Sequence, residues 1–187
     1  MDVSASALVS GSARASASGV QDRVTLVEAD LNLPLPFDNR SFDAVMSLDV
    51  VLHLGDRKAL LDGIARVLTP TGKLLLTDAG VIAGPISNEE TARRSANGYT
   101  QFVAPGFNEA LLQAAGFKLI AQEDRTASVL LNARGRLRAM RAHRTAVEDL
   151  EGREGVAQQQ GYLETVVELS ERGALARVMY FAESAAP

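Results

Sequence analysis

The 187-residue chain contains no cysteine and no tryptophan, and it has only two histidines, His53 and His143. Without cysteine it can form no disulfide, use no thiol nucleophile and bind no metal through thiolates. Two histidines are also too few for a multi-histidine metal site. We therefore expect no metal in the functional site.

The chain also has a small net charge and no long hydrophobic run. The net charge of -4 argues against binding nucleic acid through overall positive charge. No run approaches the roughly 18 apolar residues of a membrane span. The first residues, "MDVSASALVSGSARASASG", lack the basic start and long apolar stretch of a secretory signal. We expect a cytoplasmic protein that binds neither nucleic acid nor membrane.

Hydrophobic residues make up 47% of the chain, enough for a sizeable core. Apolar runs that predict strands alternate with stretches of helical periodicity, which favours an α/β fold. The pattern predicts one domain over 1–187, with a lid-like segment at 80–106 and a helical insertion at 126–172. The predicted strands are Arg23–Ala29, Phe42–Asp49, Lys73–Ala79, Lys118–Asp124 and Leu175–Glu183.

The stretch "SFDAVMSLDVVLHL", residues 41–54, is largely apolar and predicts a strand buried on both faces. Asp49 and His53 interrupt it, and buried ionisable groups are costly unless they are paired or useful. Asp30, Asp49 and Asp78 each end a predicted strand. Because α/β sheets bind ligands beyond the carboxyl ends of their strands, we expect Asp49 and His53 to enter a crevice. If the chain is helical after Asp49, the two residues share one face.

A longer segment, "DRVTLVEADLNLPLPFDNRSFDAVMSLDVVLHLGDRKALLDGIARVLTPTGKLLLTD", resembles the middle of a class I S-adenosylmethionine-dependent methyltransferase. The order of "AD", "SFDAV" and "RVLTPTG" carries the resemblance. It implies a Rossmann-like class I methyltransferase sheet with helices on both faces, plus an inserted helical pair before the last strand. It also implies S-adenosyl-L-methionine as cofactor and a small-molecule methyl acceptor with a nitrogen or oxygen nucleophile.

The resemblance assigns roles to individual residues. Asp30 matches the acid that accepts a hydrogen bond from the adenine amino group, and Leu31 would contact the ring through its backbone. Asp2 resembles the acid that holds the ribose hydroxyls. Leu48 and Asp49 would line the methionine end of the cofactor.

His53 resembles a histidine that lies near the reacting centre in some members of the family. An unperturbed imidazole has a pKa of about 6.5, which suits a general base. Asp49 would orient His53 or hold a cationic substrate. Catalytic roles are therefore expected for His53 and Asp49.

The sequence departs from the family at its start, because no glycine-rich GxGxG loop precedes Asp2. The expectation is a methyltransferase fold that lacks its first strand, its first crossover helix and most of its second strand. An alternative is a non-catalytic truncated paralogue that acts as a binding or pairing partner. A homo-oligomer joined through the exposed sheet edge would fit that alternative.

Other interpretations remain open for several residues. Asp30 is also explained as a loop acid that caps a turn, Asp49 as a turn cap, and His53 as a histidine bonded to backbone. A nicotinamide-dependent oxidoreductase is a further alternative for the whole chain. Two groups of residues also have both a functional and a structural explanation. Three aromatic residues either form a lid over the substrate or pack in the core: Tyr99, Phe102 and Phe107. A run of arginines either binds an anionic substrate group or forms a solvated helix face: Arg134, Arg136, Arg138, Arg141 and Arg144.

Overall fold

The computed structural model of the chain describes residues 1–96 and 98–185. Asn97, within the predicted 80–106 segment, and residues 186 and 187 lie outside the described residues. The helices are α1 Ala5–Ala17, α2 Arg57–Val67, α3 Asn88–Arg94, α4 Phe107–Ala114, α5 Thr126–Ala142 and α6 Arg144–Glu171. The strands are β1 Phe42–Leu48, β2 Leu68–Ile82, β3 Phe117–Asp124 and β4 Leu175–Ser184.

The four strands form one mixed sheet in the order β1-β2-β4-β3. β1 and β2 are parallel and are connected by α2, whereas β4 is antiparallel to both of its neighbours. The pairing of β1 with β2 shifts register between Phe42 and Ala44, so regular pairing of β2 resumes at Lys73. The predicted α/β fold and its parallel crossover are confirmed.

The main core lies between α2 and the sheet. The side chain of Asp56 caps α2 by accepting from the backbone N–H of Ala59 at 2.9 Å. The helix then buries an apolar stripe against β2 and β4. The sequence predicted a stripe of Leu60, Leu61, Ile64, Val67 and Leu68, of which the first four lie on α2 and Leu68 begins β2, and every member is at most 4% exposed. Each such side chain contributes roughly 1.5–3 kcal/mol by its burial.

The stretch before the last strand is helical, as the periodicity predicted, but it divides into α5 and α6 at His143 and not at the predicted "EGREG". Its apolar contact consists of Ala133 and Leu137 packed against Leu163 and Val166. Gly152 interrupts α6 with φ 76° and ψ 158°, a conformation that suits glycine. This break lies within the predicted "EGREG" interruption.

Two strand predictions are wrong. Residues 23–29 form no regular strand, and a single parallel bridge between Asp2 and Glu28 is their β pairing. β1 is not buried on both faces, because Met46 is 66% exposed and Leu48 46% exposed. Within the described residues β1 pairs on one side only, with β2, so it is an edge strand.

Candidate functional site

Two hollows lie on either side of the end of β1. One is an apolar groove of about 560 Å³, and the other is a polar cavity of about 430 Å³. Leu48 lines the groove, and the next residue, Asp49, lines the cavity, as alternating side chains of a strand would. Both volumes fall in the range of about 300–1,000 Å³ that is typical of small-molecule sites.

The apolar groove is formed by the segment before β1, by β1 itself and by α2. Met1, Val27, Leu31, Met46 and Leu48 are among its lining residues. The structure therefore places Leu31 and Leu48, two of the predicted cofactor contacts, on one surface. A shallow apolar wall of this kind suits the flat face of a planar ring.

Asp2 and Asp30 directly adjoin Met1 and Leu31 in the chain and are exposed. The backbone N–H of Asp2 donates to Val27 O at 3.1 Å, and its carboxylate accepts from the N–H of Ser4 at 2.8 Å. Asp30 Oδ1 accepts from both the N–H and the side-chain amide of Asn32, each at 2.9 Å. These bonds, the backbone one foremost, lower the pKa of Asp30. Asp30 thus caps a turn, as one sequence interpretation had it.

Asp49 directly follows β1 and has φ 54°, a left-handed conformation that is uncommon for a non-glycine residue. Its carboxylate forms a bidentate ion pair with Arg177 of β4, because Oδ1 accepts from Nε and Oδ2 from Nη2, each at 2.9 Å. Thr77 of β2 donates its hydroxyl to Asp49 Oδ1 at 2.9 Å. Asp49 is therefore fixed to β2 and β4.

His53 lies at the end of a short 3₁₀ turn, Val51–His53, and not in an α-helix. It lines the same cavity as Asp49, but its ring is 2.8 Å from the carbonyl oxygen of Tyr99 through Nδ1. A carbonyl oxygen can only accept, so Nδ1 carries the hydrogen and, in the neutral ring, Nε2 has the free lone pair. The structure brings Asp49 and His53 together in one cavity, with different hydrogen-bond partners.

The far walls of the cavity come from α3, α5 and α6. Arg94 of α3 lies with its guanidinium carbon 5.0 Å from the ring centroid of Tyr162 on α6. Of the five arginines in the basic run, Arg136 lines the cavity. Three others form ion pairs with glutamates: Arg134 with Glu171, Arg141 with Glu164 and Arg144 with Glu148.

Sequence reasoning missed Arg94 and Arg177. Arg94 belongs to a charged helical segment in which nothing distinguishes it from Arg93. Arg177 did leave a signal, since it is a charge within the apolar strand "LARVMYFAE". Of the three aromatic candidates for a lid, Phe102 packs against the cluster of Leu169, Ala174 and Leu175.

A buried polar network lies next to the cavity. Asp78 and Arg57 are 0% and 2% exposed and pair at 2.5 Å. Asn108 donates to Asp78 at 2.8 Å, and Arg57 donates to the backbone oxygen of Gln101. Asp78 is thus satisfied within the protein. Its partner Arg57 bonds Gln101, which lies two residues after Tyr99, whose carbonyl oxygen accepts from His53.

Within residues 1–96 and 98–185, no three acidic or histidine side chains are grouped so that they could hold a metal ion. Over the same residues, no helix is both long and apolar enough to cross a membrane.

Comparison with known proteins shows similarity to methyltransferases. Residues 1–76 match the model of a methyltransferase domain. A 27-O-demethylrifamycin SV methyltransferase of Amycolatopsis mediterranei is 34% identical over 114 residues, which are 59% of this chain and 42% of that protein. A glycine/sarcosine/dimethylglycine N-methyltransferase of Actinopolyspora halophila is 30% identical over 108 residues, 58% of this chain and 19% of that protein. The chain spans less than half the length of either relative.

The fold is also that of solved methyltransferases. The crystal structure of a sarcosine dimethylglycine methyltransferase homologue from Galdieria sulphuraria superposes with a TM-score of 0.86 at 18% identity. The match covers 100% of this chain and 70% of that one. At this identity the likeness is one of fold, and it extends over both the groove and the cavity.

Proposed function

We propose that the chain is a class I S-adenosylmethionine-dependent methyltransferase that transfers a methyl group to a nitrogen or oxygen atom of a small molecule. The observation that carries this proposal is the meeting of two hollows of different chemistry at Leu48 and Asp49. A methyl transfer needs two such neighbouring sites, because donor and acceptor must be held in line. The names of the two curated relatives specify an oxygen and a nitrogen acceptor.

The residues around the groove fit a nucleoside cofactor. Its apolar wall, which includes Leu31 and Leu48, suits the faces of an adenine ring. The exposed carboxylates of Asp2 and Asp30 suit its amino and hydroxyl donors. Asp2, Asp30, Leu31 and Leu48 would therefore hold S-adenosyl-L-methionine, which supplies a sulfonium-activated methyl group when bound.

On the acceptor side, His53 would accept the proton that the nucleophile loses. Its Nδ1–H is fixed by the Tyr99 carbonyl, which leaves Nε2 as the base. Asp49 would act as a positioning residue, because its carboxylate is occupied by Arg177 and Thr77. A cationic substrate at Asp49 would have to displace Arg177.

Calorimetric titration with S-adenosylhomocysteine tests the cofactor site. Saturable binding is expected, and Asp30→Ala should weaken it by about tenfold, as for loss of one hydrogen bond to a charged group. Asp22→Ala removes an exposed acid on the preceding 3₁₀ turn and should leave affinity unchanged. A folded chain that does not bind contradicts the proposed function, and equal affinity of Asp30→Ala contradicts the role of Asp30.

A second candidate function, non-catalytic pairing with another copy of this chain, is favoured by the edge strand β1. Met46 and Leu48 on it are exposed, and an unpaired apolar edge invites strand addition. Sedimentation velocity over a range of concentrations tests this homo-oligomer. Met46→Lys should abolish association, whereas Leu131→Lys, at a 70% exposed position on α5, should not. A monomer at every concentration contradicts pairing.

A further inference from the structure

We propose that the polar cavity binds an anionic group of the methyl acceptor, a carboxylate or a phosphate, through Arg94. This inference rests on the proposed function, since it names the chemical class of the acceptor. Its starting point is that Arg94 is only 5% exposed and lines the cavity. A buried guanidinium is costly unless a negative charge or several acceptors satisfy it.

The hydrogen bonds of Arg94 within the protein are few. Its Nε atom is buried and has no hydrogen-bond partner. Nη2 donates to the carbonyl oxygen of Ala79 at 3.4 Å, which is long for such a bond. Within residues 1–96 and 98–185, no carboxylate forms an ion pair with it, whereas its neighbour Arg93 lies 3.9 Å from Glu168. The charge of Arg94 is therefore left for a ligand.

Tyr162 fixes Arg94 without neutralising it. The guanidinium lies 5.0 Å from the ring centroid, a favourable cation–π distance. The ring faces the guanidinium with its π system and offers no anionic acceptor, so the N–H edge keeps its positive charge unpaired by Tyr162. Such a planar, oriented edge is suited to bidentate recognition of carboxylate or phosphate oxygens.

The charge balance of the cavity lining also favours an anion. Arg94, Arg136 and Arg177 line it together with one acid, Asp49. Arg177 and Asp49 form a bidentate pair, so their charges offset each other. The remaining lining charges are the two cations Arg94 and Arg136, before any protonation of His53 is counted. Because His53 lines the same cavity, an acceptor anchored at Arg94 would present its nucleophile to the base.

Titration of the cofactor-free chain with simple ions tests the site. Inorganic phosphate and acetate serve as probes, at an ionic strength held constant with chloride, and ethanolamine serves as a cationic comparison. We expect saturable binding of phosphate or acetate and none of ethanolamine. The better of the two anions identifies the acceptor's group.

Two variants and a matched control locate the binding. Arg94→Gln should weaken the preferred anion by about tenfold or more, and Arg136→Gln by a few-fold. Arg93→Gln, on the same helix, should have no effect. Should Arg94→Gln fail to fold, Arg136→Gln decides, because Arg136 is exposed and its removal spares the core. Unchanged affinity in the folded variants, no anion binding by wild type, or equal binding of ethanolamine would each overturn the proposal.

The titrations with anions and with S-adenosylhomocysteine test the anion site and the proposed function separately. Cofactor binding without anion binding overturns the anion site and leaves the proposed function intact. Anion binding without cofactor binding has the opposite meaning, because it preserves the Arg94 site and removes the methyl donor.

Discussion

The groove and the cavity differ in how far apart in sequence their parts lie. All residues that line the groove come from the first 67 positions, inside the region 1–76 that matches the methyltransferase domain. The cavity joins Asp49 to Arg177, 128 positions away, and takes its other walls from α3, α5 and α6. The groove thus lies within the region that matches the methyltransferase domain, and the cavity walls lie mostly beyond it. We infer that the groove serves the common cofactor and the cavity the particular acceptor.

The largest expected effect is a loss of stability, which should be greater around the cavity than along the groove. Asp78→Asn removes the partner of buried Arg57, and an uncompensated buried charge costs about 3–5 kcal/mol. The free energy of unfolding, measured with urea, should fall by that amount. Since Arg57 also bonds Gln101, amide exchange should quicken around the cavity more than along the groove.

A matched control uses the adjacent ion pair on the surface of α2. Lys58 and Asp62 are 55% and 47% exposed, so Asp62→Asn should cost less than about 1 kcal/mol. A loss of stability for Asp78→Asn no greater than that for Asp62→Asn would mean that the buried network does not support the cavity.

A second prediction is that a substitution in the cavity slows methyl transfer without changing cofactor binding in the groove. His53→Gln removes the proposed base and should slow methyl transfer by about 100-fold or more, for an acceptor whose nucleophile must lose a proton. Affinity for S-adenosylhomocysteine should be unchanged, because His53 lines the cavity and not the groove. The assay would use an acceptor chosen through the anion titrations.

The other histidine provides the control for this variant. His143 is exposed at the junction of α5 and α6, and His143→Gln should retain full activity. If His53→Gln is as active as His143→Gln, His53 is not the base and its bond to Tyr99 is structural.

The same difference in sequence distance explains what could be predicted. The stripe on α2, the crossover from β1 to β2 and the break at Gly152 depend on local periodicity, and all three predictions are confirmed. The expected burial of β1 was wrong because it depends on which elements pack against both faces of the strand, and no local pattern can guarantee that. The positions of Asp30, Asp49 and His53 at strand ends singled them out, and the family resemblance supplied the roles of these residues and of Asp2, Leu31 and Leu48. Those roles stay predictions.

The cavity was harder to predict from sequence because its charges act through long-range pairs. The basic run favoured an anion site, but ion pairs with distant glutamates occupy Arg134 and Arg141, and a pair with Glu148 one turn along α6 occupies Arg144. Arg94, which carries the proposal, has the same local sequence features as Arg93. Only the packing of α3 against Tyr162 distinguishes them.

The smallest expected effect concerns an ion pair between α3, the helix that contains Arg94, and the end of α6. Glu90 pairs with Arg172 at 2.8 Å and accepts from the backbone N–H of Ser87 at 2.7 Å. The Arg172 bond foremost, together with the Ser87 bonds, lowers the pKa of Glu90 from 4.5 to about 2. A lowered folded-state pKa contributes stability above pH 4.5 that is lost as the pH falls toward 2. Glu90→Gln should therefore lose less unfolding free energy than wild type over that interval, measured by urea titration at each pH. Glu89→Gln, its exposed neighbour, should follow wild type; if Glu90→Gln does so too, the pair does not secure the cavity wall.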